Sequence, residues 1–515
     1  MIGFESPRVP LAGIAALARA GAVARAWELF TGRGHAGAQS ASECAVRGRL
    51  LKARARLAGG AEARNLYAEA AAAYAAADAQ TPAPYLLINA ASMALLAGDA
   101  PRAAEAARQV LARLDCPAPL DDTPYFLAAT RAEALLLLGD QPGAAAALQR
   151  AIMADPDGWD DRATTIAQLA ELCAALGLAT GWLDRFRPPA ALHFAGHMGL
   201  APGGAGEGTL AATIDALLAE CPVGFAHGAL AAGTDLVLAE RLLAHGAELH
   251  LVLPAPAADF RRQSVAPAGA DWLRRYDAML ESAASTVVVG PPSAGPHDPL
   301  ATALAAEVAI GATLAAARRY ATTARQWVVL DEAGGGANSA AQAARWPMAE
   351  TRRIITLPRD GAATAAFPAE SPDPGRRDAV VLALRADLAA LGELPASHDL
   401  ALLGECLDAL GGAGCLVASR AGAWDLLFDH PAEAARAALA ALQAARQVGV
   451  ALSAGLARGL VAVGGVAQSA RVAAGPPLAL AERLALRAPA GVALADAVFA
   501  VTGSLRDSLG WQVQP

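Results

Sequence analysis

The residues best placed to do chemistry are Gly228, Gly233, Thr234 and Asp235, in the stretch Gly228-Ala229-Leu230-Ala231-Ala232-Gly233-Thr234-Asp235. This small-residue loop runs straight into an apolar helix, Leu236 to His245, which Thr234 or Asp235 caps and Gly246 stops. The run Leu249-His250-Leu251-Val252-Leu253 then reads as a buried strand. Unpaired N–H groups at a helix N-terminus, reached through a loop without bulky side chains, form an anion site, and the helix dipole favours negative charge there. Packing a helix on a strand also needs a tight glycine turn, so a phosphate cradle and plain punctuation both stay open.

Three other segments carry candidates. Gly196 and His197 lie in the turn Ala195-Gly196-His197-Met198, where His197 either contacts a phosphate or serves the structure alone. Gly334, Gly335, Gly336 and Ser339 belong to a second glycine loop, Gly334-Gly335-Gly336-Ala337-Asn338-Ser339. Arg261 and Arg262, in the polar stretch Asp259 to Val265, either clamp a phosphate bidentately or sit solvated at a helix entry. Asp235 either accepts from a ribose hydroxyl or caps its helix.

These residues must be held by a chain of 515 residues, a length that suggests about three domains. Residues 1–187 read as helix after alanine-rich helix, with turns at Gly59-Gly60, Gly98-Asp99 and Gly139-Asp140, about 40 residues apart. Pro84-Tyr85 and Pro124-Tyr125 repeat the same interval. One helical hairpin cannot bury its apolar face until a neighbour stacks on it, so this period predicts an array. After Arg187-Pro188-Pro189, strands alternate with helices of ten or more residues across 190–348, which predicts a parallel sheet covered on both faces. From 350 to 515 the order changes. Ile354 to Leu357 reads as a strand, Val380 to Leu391 and Asp399 to Ala409 as helices, and Cys415 to Phe428 as a hairpin. A helix at Pro431 to Gln447 and strands from Val450 onward complete an α+β sheet with helices on one face.

Composition narrows the functions. A net charge of −8 with no basic block argues against a nucleic-acid partner and leaves small anionic ligands open. The six cysteines are scattered without a CxxC pair, as in a reducing compartment, and a structural zinc is not expected. No uninterrupted apolar run reaches about 18 residues, and the first residues lack a signal-peptide pattern, so a cytoplasmic protein without membrane attachment is expected.

Residues 1–187 resemble tetratricopeptide repeats, with Gly-Asp at the hairpin turn and the Ala103 to Ala107 segment after it, although the spacing is longer than that family's; the resemblance implies docking of a protein partner. The Gly228 to Asp235 loop and the strand ending in Val252-Leu253-Pro254 resemble the nucleotide-sensing Rossmann-like superfamily of the lysine-decarboxylase-like cytokinin-activating enzymes and the DNA-processing protein A. The later loop lacks the glutamate of the cytokinin-activating signature, so the resemblance implies binding of a nucleotide or nucleotide derivative more readily than hydrolysis.

The third domain resembles the class III adenylate/guanylate cyclase homology domain, a ferredoxin-like fold, through Arg353 to Asp360, Ala423 to Ala435, Val448 to Gly455 and Leu478 to Leu484. The resemblance puts Asp360 where the first carboxylate for catalytic magnesium belongs and Arg483 at the transition-state arginine. It puts Gly422 at the second carboxylate, Ala479 at the asparagine and Ala418 at the purine-selecting lysine. A regulatory, degenerate cyclase-like domain and a homodimer are the expectations, and magnesium enters only if the domain is active. The alternatives are a working cyclase, a nucleotide hydrolase, or a pure scaffold.

Overall fold

A computed structural model describes residues 10–19, 21–32, 35–37, 40–116, 122–292, 298–331, 336–360, 375–387, 415–420, 422–466 and 470–503. Two compact units divide the chain: residues 1–188 with 319–322, and the sheet-containing remainder. Gly334 and Gly335, and the helix expected at Asp399 to Ala409, lie outside the described residues.

In the first unit the helices are α1 (Leu11–Arg19), α2 (Val23–Gly32), α3 (Ala41–Leu57), α4 (Gly60–Gln80), α5 (Pro84–Leu96), α6 (Ala100–Leu114), α7 (Pro124–Leu137), α8 (Gln141–Ala154) and α9 (Trp159–Ala175). They form the hairpins α3/α4, α5/α6 and α7/α8 at the expected period. Gly98 and Gly139 take φ +95° and +82°, a region that favours glycine. Asp99 and Asp140 then cap α6 and α8 through the N–H groups of Arg102 and Gly143.

The array closes on itself through polar side chains. Lys52 on α3 donates to Gln168 on α9 (2.9 Å), and Gln168 in turn donates to Glu133 on α7 (3.0 Å). Glu133 also accepts from Ser92, and Arg56 and Tyr67 both donate to Glu171. Burial pushes the Lys52 ammonium down to about 8 and the Glu133 carboxyl upward.

The second unit holds two sheets. In the first, β1 (Ala190–Ala195), α10 (Ala205–Glu220), β2 (Val223–Gly228), α11 (Thr234–Ala244), β3 (Glu248–Leu253), α12 (Ala257–Ser264), α13 (Ala270–Ser282), β4 (Ser285–Val288), α14 (Pro299–Arg319), β5 (Ala324–Leu330), α15 (Ala337–Arg345) and β6 (Arg352–Thr356) follow in order. The strands are all parallel, in the order β4-β3-β2-β1-β5-β6. Strand order reverses between β1 and β5, which opens a crevice at their carboxyl ends. The strand expected to begin the third domain is β6, paired with β5. The parallel domain therefore runs past residue 348, because an edge strand reads the same in either sheet.

The second sheet comprises β7 (Arg376–Ala386), β8 (Cys415–Arg420), β9 (Ala423–Phe428), α16 (Pro431–Gln447), β10 (Leu452–Val466), β11 (Ala470–Ala474), α17 (Pro476–Arg487), β12 (Ala493–Ala495) and α18 (Ala497–Gly503). Its order is β11-β10-β7-β9-β8, antiparallel, with β12 added parallel to β10. The core β10-β7-β9-β8 has the fourth-first-third-second order of a ferredoxin-like unit. Val380 to Ala386 is strand rather than helix. Val380, Leu382 and Leu384 enter one core and Ala379, Val381 and Ala383 another, so a central strand buried on both faces loses its polar alternation. Helices cover both faces, α16 one and α17 the other, rather than one face alone.

One described helix, α14, is long and apolar enough to cross a membrane. Its Leu304, Ala305, Val308 and Ala309 pack inside the second unit against Val252 and Val501.

Candidate functional site

A cavity of about 500 Å³ opens at the carboxyl ends of the parallel strands. Gly196 and His197 after β1, Gly228 at the end of β2, Pro254 after β3, Gly336 to Ser339 after β5 and Arg359 after β6 line it, and Asp235 forms part of its wall. α14 supplies an apolar wall through Ala305, Ala306 and Ala309.

The structure uses the Gly228 to Asp235 loop differently from a phosphate cradle. The Thr234 N–H (3.3 Å) and hydroxyl (2.9 Å) both donate to the His197 carbonyl, so the α11 N-terminus is engaged by the β1 turn. Thr234 is fully buried. Gly233 has φ +98°, and a Cβ there would lie 3.0 Å from the His197 carbonyl oxygen, so its glycine serves the close approach of two loops. The same holds for Gly196, whose Cβ would fall 1.9 Å from the Thr234 hydroxyl. Gly196→Ala should therefore destabilise the protein by about 2 kcal/mol in thermal or denaturant unfolding.

The N-terminus of α15 is the one that faces the cavity. Gly336, at φ +95°, caps it without a side-chain hydrogen bond, and Gly336, Ala337, Asn338 and Ser339 line the wall. The first N–H groups of a helix have no intrahelical acceptor. The Ser339 hydroxyl donates to the Gly196 carbonyl (2.7 Å), fixing this turn against β1. Arg359 approaches the same turn: a Cβ on Gly336 would lie 2.7 Å from its guanidinium. The nearby carboxylate of Asp331 is 4.0 Å from Arg359.

The same cavity is lined by buried groups with unused hydrogen-bonding atoms. Asp235 is 7% exposed; its Oδ2 accepts from the Ala231 N–H (3.3 Å), while Oδ1 has no protein partner. Burial pushes its carboxyl up to about 7, against the opposing backbone N–H bonds. His197 donates from Nε2 to the Leu357 carbonyl (3.0 Å) and leaves Nδ1 unpaired. His193 is fully buried with Nε2 unpaired, and burial pushes it down to about 3. Both imidazoles are held neutral by desolvation. His193 also begins a row in register across the sheet, with His227 on β2 and His250 on β3. The last two rings stack 4.9 Å apart.

Several expected residues stand elsewhere. Arg261 lies on α12, outside the cavity lining, and forms a two-bond pair with Asp277 at 2.8 Å, while Arg262 pairs with Asp259. Asp360 follows β6 of the parallel sheet, where its N–H donates to the Gly199 carbonyl (2.8 Å), so it is no part of a carboxylate pair in the antiparallel sheet. Arg483 is exposed on α17. At the end of β7, Arg385 is 9% exposed and lies 2.8 Å from Asp425 and 3.2 Å from Glu482. Asp425 is thereby committed to a guanidinium, and Gly422 occupies the hairpin turn at φ +70°.

No protein-family model matches the sequence, and no curated protein matches it. Among solved structures, the chain is similar to the monomeric guanylyl cyclase domain of the RhoGC fusion protein from the aquatic fungus Blastocladiella emersonii, at 16% identity and a TM-score of 0.22, over 25% of this chain and 85% of that one. The guanylate cyclase domain of RhGC from Catenaria anguillulae, in complex with GTP, matches at 17% identity and a TM-score of 0.22, over 25% and 82%. A Thermobaculum terrenum O-GlcNAc transferase mutant matches over 63% of this chain and 77% of that one, at 13% identity and a TM-score of 0.18.

Proposed function

We propose that the protein is a regulatory protein that binds a nucleotide-derived ligand in the cavity of its parallel-sheet domain. The observation that carries this reading is the meeting, at the topological switch point, of the Arg359 guanidinium and the α15 N-terminus with the Asp235 carboxyl, raised to about 7, and the neutral imidazole of His193. A phosphate takes the first pair, and the hydroxyls or base of a nucleoside take the second. Apolar Ala305, Ala306 and Ala309 suit the flat face of a base. The cavity lining holds no charged carboxylate beside a second acid, which favours binding over glycosidic hydrolysis.

The antiparallel domain is proposed as a regulatory, non-catalytic relative of nucleotide cyclases, because Gly422 stands where the resemblance puts the second metal-binding carboxylate, and the neighbouring Asp425 is paired with Arg385. The helical array is proposed as the platform for a protein partner; its exposed Leu57, Phe126 and Met153 offer apolar surface.

The test is thermal unfolding of the whole chain against ATP, GTP, NAD, ADP-ribose and cyclic nucleotides. A ligand at about 100 times its Kd adds roughly 2.7 kcal/mol, a shift of a few degrees. Arg359→Met should weaken the binding of that ligand by about 10- to 100-fold, since a charge-assisted contact contributes about 1.5–3 kcal/mol. Equal affinity in Arg359→Met would reject the assignment of the phosphate end.

A further inference from the structure

The apolar wall of the cavity also touches the other sheet. Thr302, Ala305, Ala306 and Ala309 of α14 face the cavity. On the same helix Glu307 accepts from Arg458 of β10 (2.8 Å), and Arg458 bonds Asp378 of β7 (2.5 Å). The Arg458 side chain is 9% exposed and that of Glu307 16%, so this is an interior contact rather than a solvated one. Glu307 also lies 3.5 Å from Arg345, the last residue of α15. Two of the helices that wall the cavity, α14 and α15, therefore converge on one carboxylate, which reaches β10 and β7 of the antiparallel sheet through Arg458.

The seam around this contact has a tight point and a loose region. At Gly311 the two parts meet backbone to backbone: a Cβ there would lie 2.3 Å from the Val501 carbonyl oxygen. Beside it is an open groove of about 130 Å³, lined by Val308 and Ala312 of α14, Val498 and Val501 of α18, and His227 and His250 of the parallel sheet. Close-packed interiors resist displacement, and an open groove beside one close contact leaves a helix free to tilt about it.

We infer that occupancy of the cavity is transmitted to the antiparallel sheet through α14, with Gly311 against Val501 as the pivot and the Glu307–Arg458–Asp378 chain as the link. This rests on the reading of the cavity as a ligand site. A ligand shifts the sheet only by binding one arrangement of α14 more tightly than another, and the effect is reciprocal: what disturbs β10 must be felt at the cavity.

Hydrogen exchange on the whole chain tests both directions. With ADP-ribose as probe, exchange should slow in residues 336–340 and change about 5-fold or more in β7 and β10, and Glu307→Gln should keep the first effect and lose the second. Protection at 336–340 with β7 and β10 unchanged would overturn the coupling and leave ligand binding intact. Absence of any protection would count against ADP-ribose at the cavity, and the ligand-free comparison then decides the coupling. Arg458→Lys and Glu307→Gln should each speed exchange in 336–340 by about 5-fold. Asp429→Asn, which breaks the exposed Arg377–Asp429 pair of the same sheet, should leave it unchanged. Equal exchange in Arg458→Lys and Asp429→Asn would overturn the inference.

Discussion

Asp235→Asn should make the protein more stable than wild type above pH 7 and abolish a slope in its stability between pH 4 and 7. Burial raises this carboxyl from 3.8 to about 7 in the folded chain. Between those values the unfolded chain has lost the proton and the folded chain still holds it, so stability falls as pH rises. The loss is complete once pH exceeds the folded value and amounts to about 4 kcal/mol, from about three pKa units at 1.36 kcal/mol each. Asparagine has nearly the same shape, can still accept from the Ala231 N–H, and carries no charge to desolvate. Denaturant unfolding of both proteins from pH 4 to 8 gives the answer: curves that converge near pH 4 and separate towards pH 7 are expected, and parallel curves would show Asp235 ionised in the folded state. The same measurement bears on function, because a carboxyl held neutral can donate a hydrogen bond to a ligand atom, which a carboxylate cannot.

The second large effect belongs to the helical array. Lys52→Met should cost about 3 kcal/mol, because it leaves buried Glu133 without the nearby ammonium and removes one of the two donors to the Gln168 carbonyl. Adding Glu133→Gln should return most of that loss, since an uncharged amide can still hydrogen-bond to Ser92 and Gln168. Guanidinium unfolding followed by circular dichroism checks the pair. A double variant as unstable as Lys52→Met alone would show that packing of the lysine stem, rather than charge balance, is what the single change removes.

These residues also show where sequence reasoning succeeds and where it stops. Helix turns at Gly98-Asp99 and Gly139-Asp140 were legible because positive φ and a capping aspartate are local requirements. Strand and helix alternation from Ala190 to Leu330 was legible for the same reason, each element carrying its own period and stops. Lys52 was visible only as the chain's single lysine; its link to Gln168 spans 116 positions and depends on how the array curves.

At the cavity, the glycines of the first two loops serve loop contact. Gly196 and Gly233 allow two loops to touch, whereas the proposed anion site lies at Gly336 and Arg359. Arg359 was passed over because Ile354 to Leu357 was assigned to the next domain, and an isolated edge strand does not declare its sheet. The signal was present in Leu357-Pro358-Arg359, an arginine directly after a strand, but its value depends on β6 being parallel to β5. Likewise Val380 to Ala386 hid a central strand behind an unbroken apolar run, and with it the Arg385–Asp425 pair.

The account's central claim is that a nucleotide-derived ligand sits with its phosphate between Arg359 and the first turn of α15. A crystal structure of the whole chain, soaked with the nucleotide that most raises its unfolding temperature, tests this most directly. Phosphate density within hydrogen-bonding distance of the Arg359 guanidinium and the N–H groups of residues 337–339, with the nucleoside over Asp235, is the predicted result. Phosphate seated instead at the start of α11, beside Gly233 and Thr234, or on the antiparallel sheet, would contradict it.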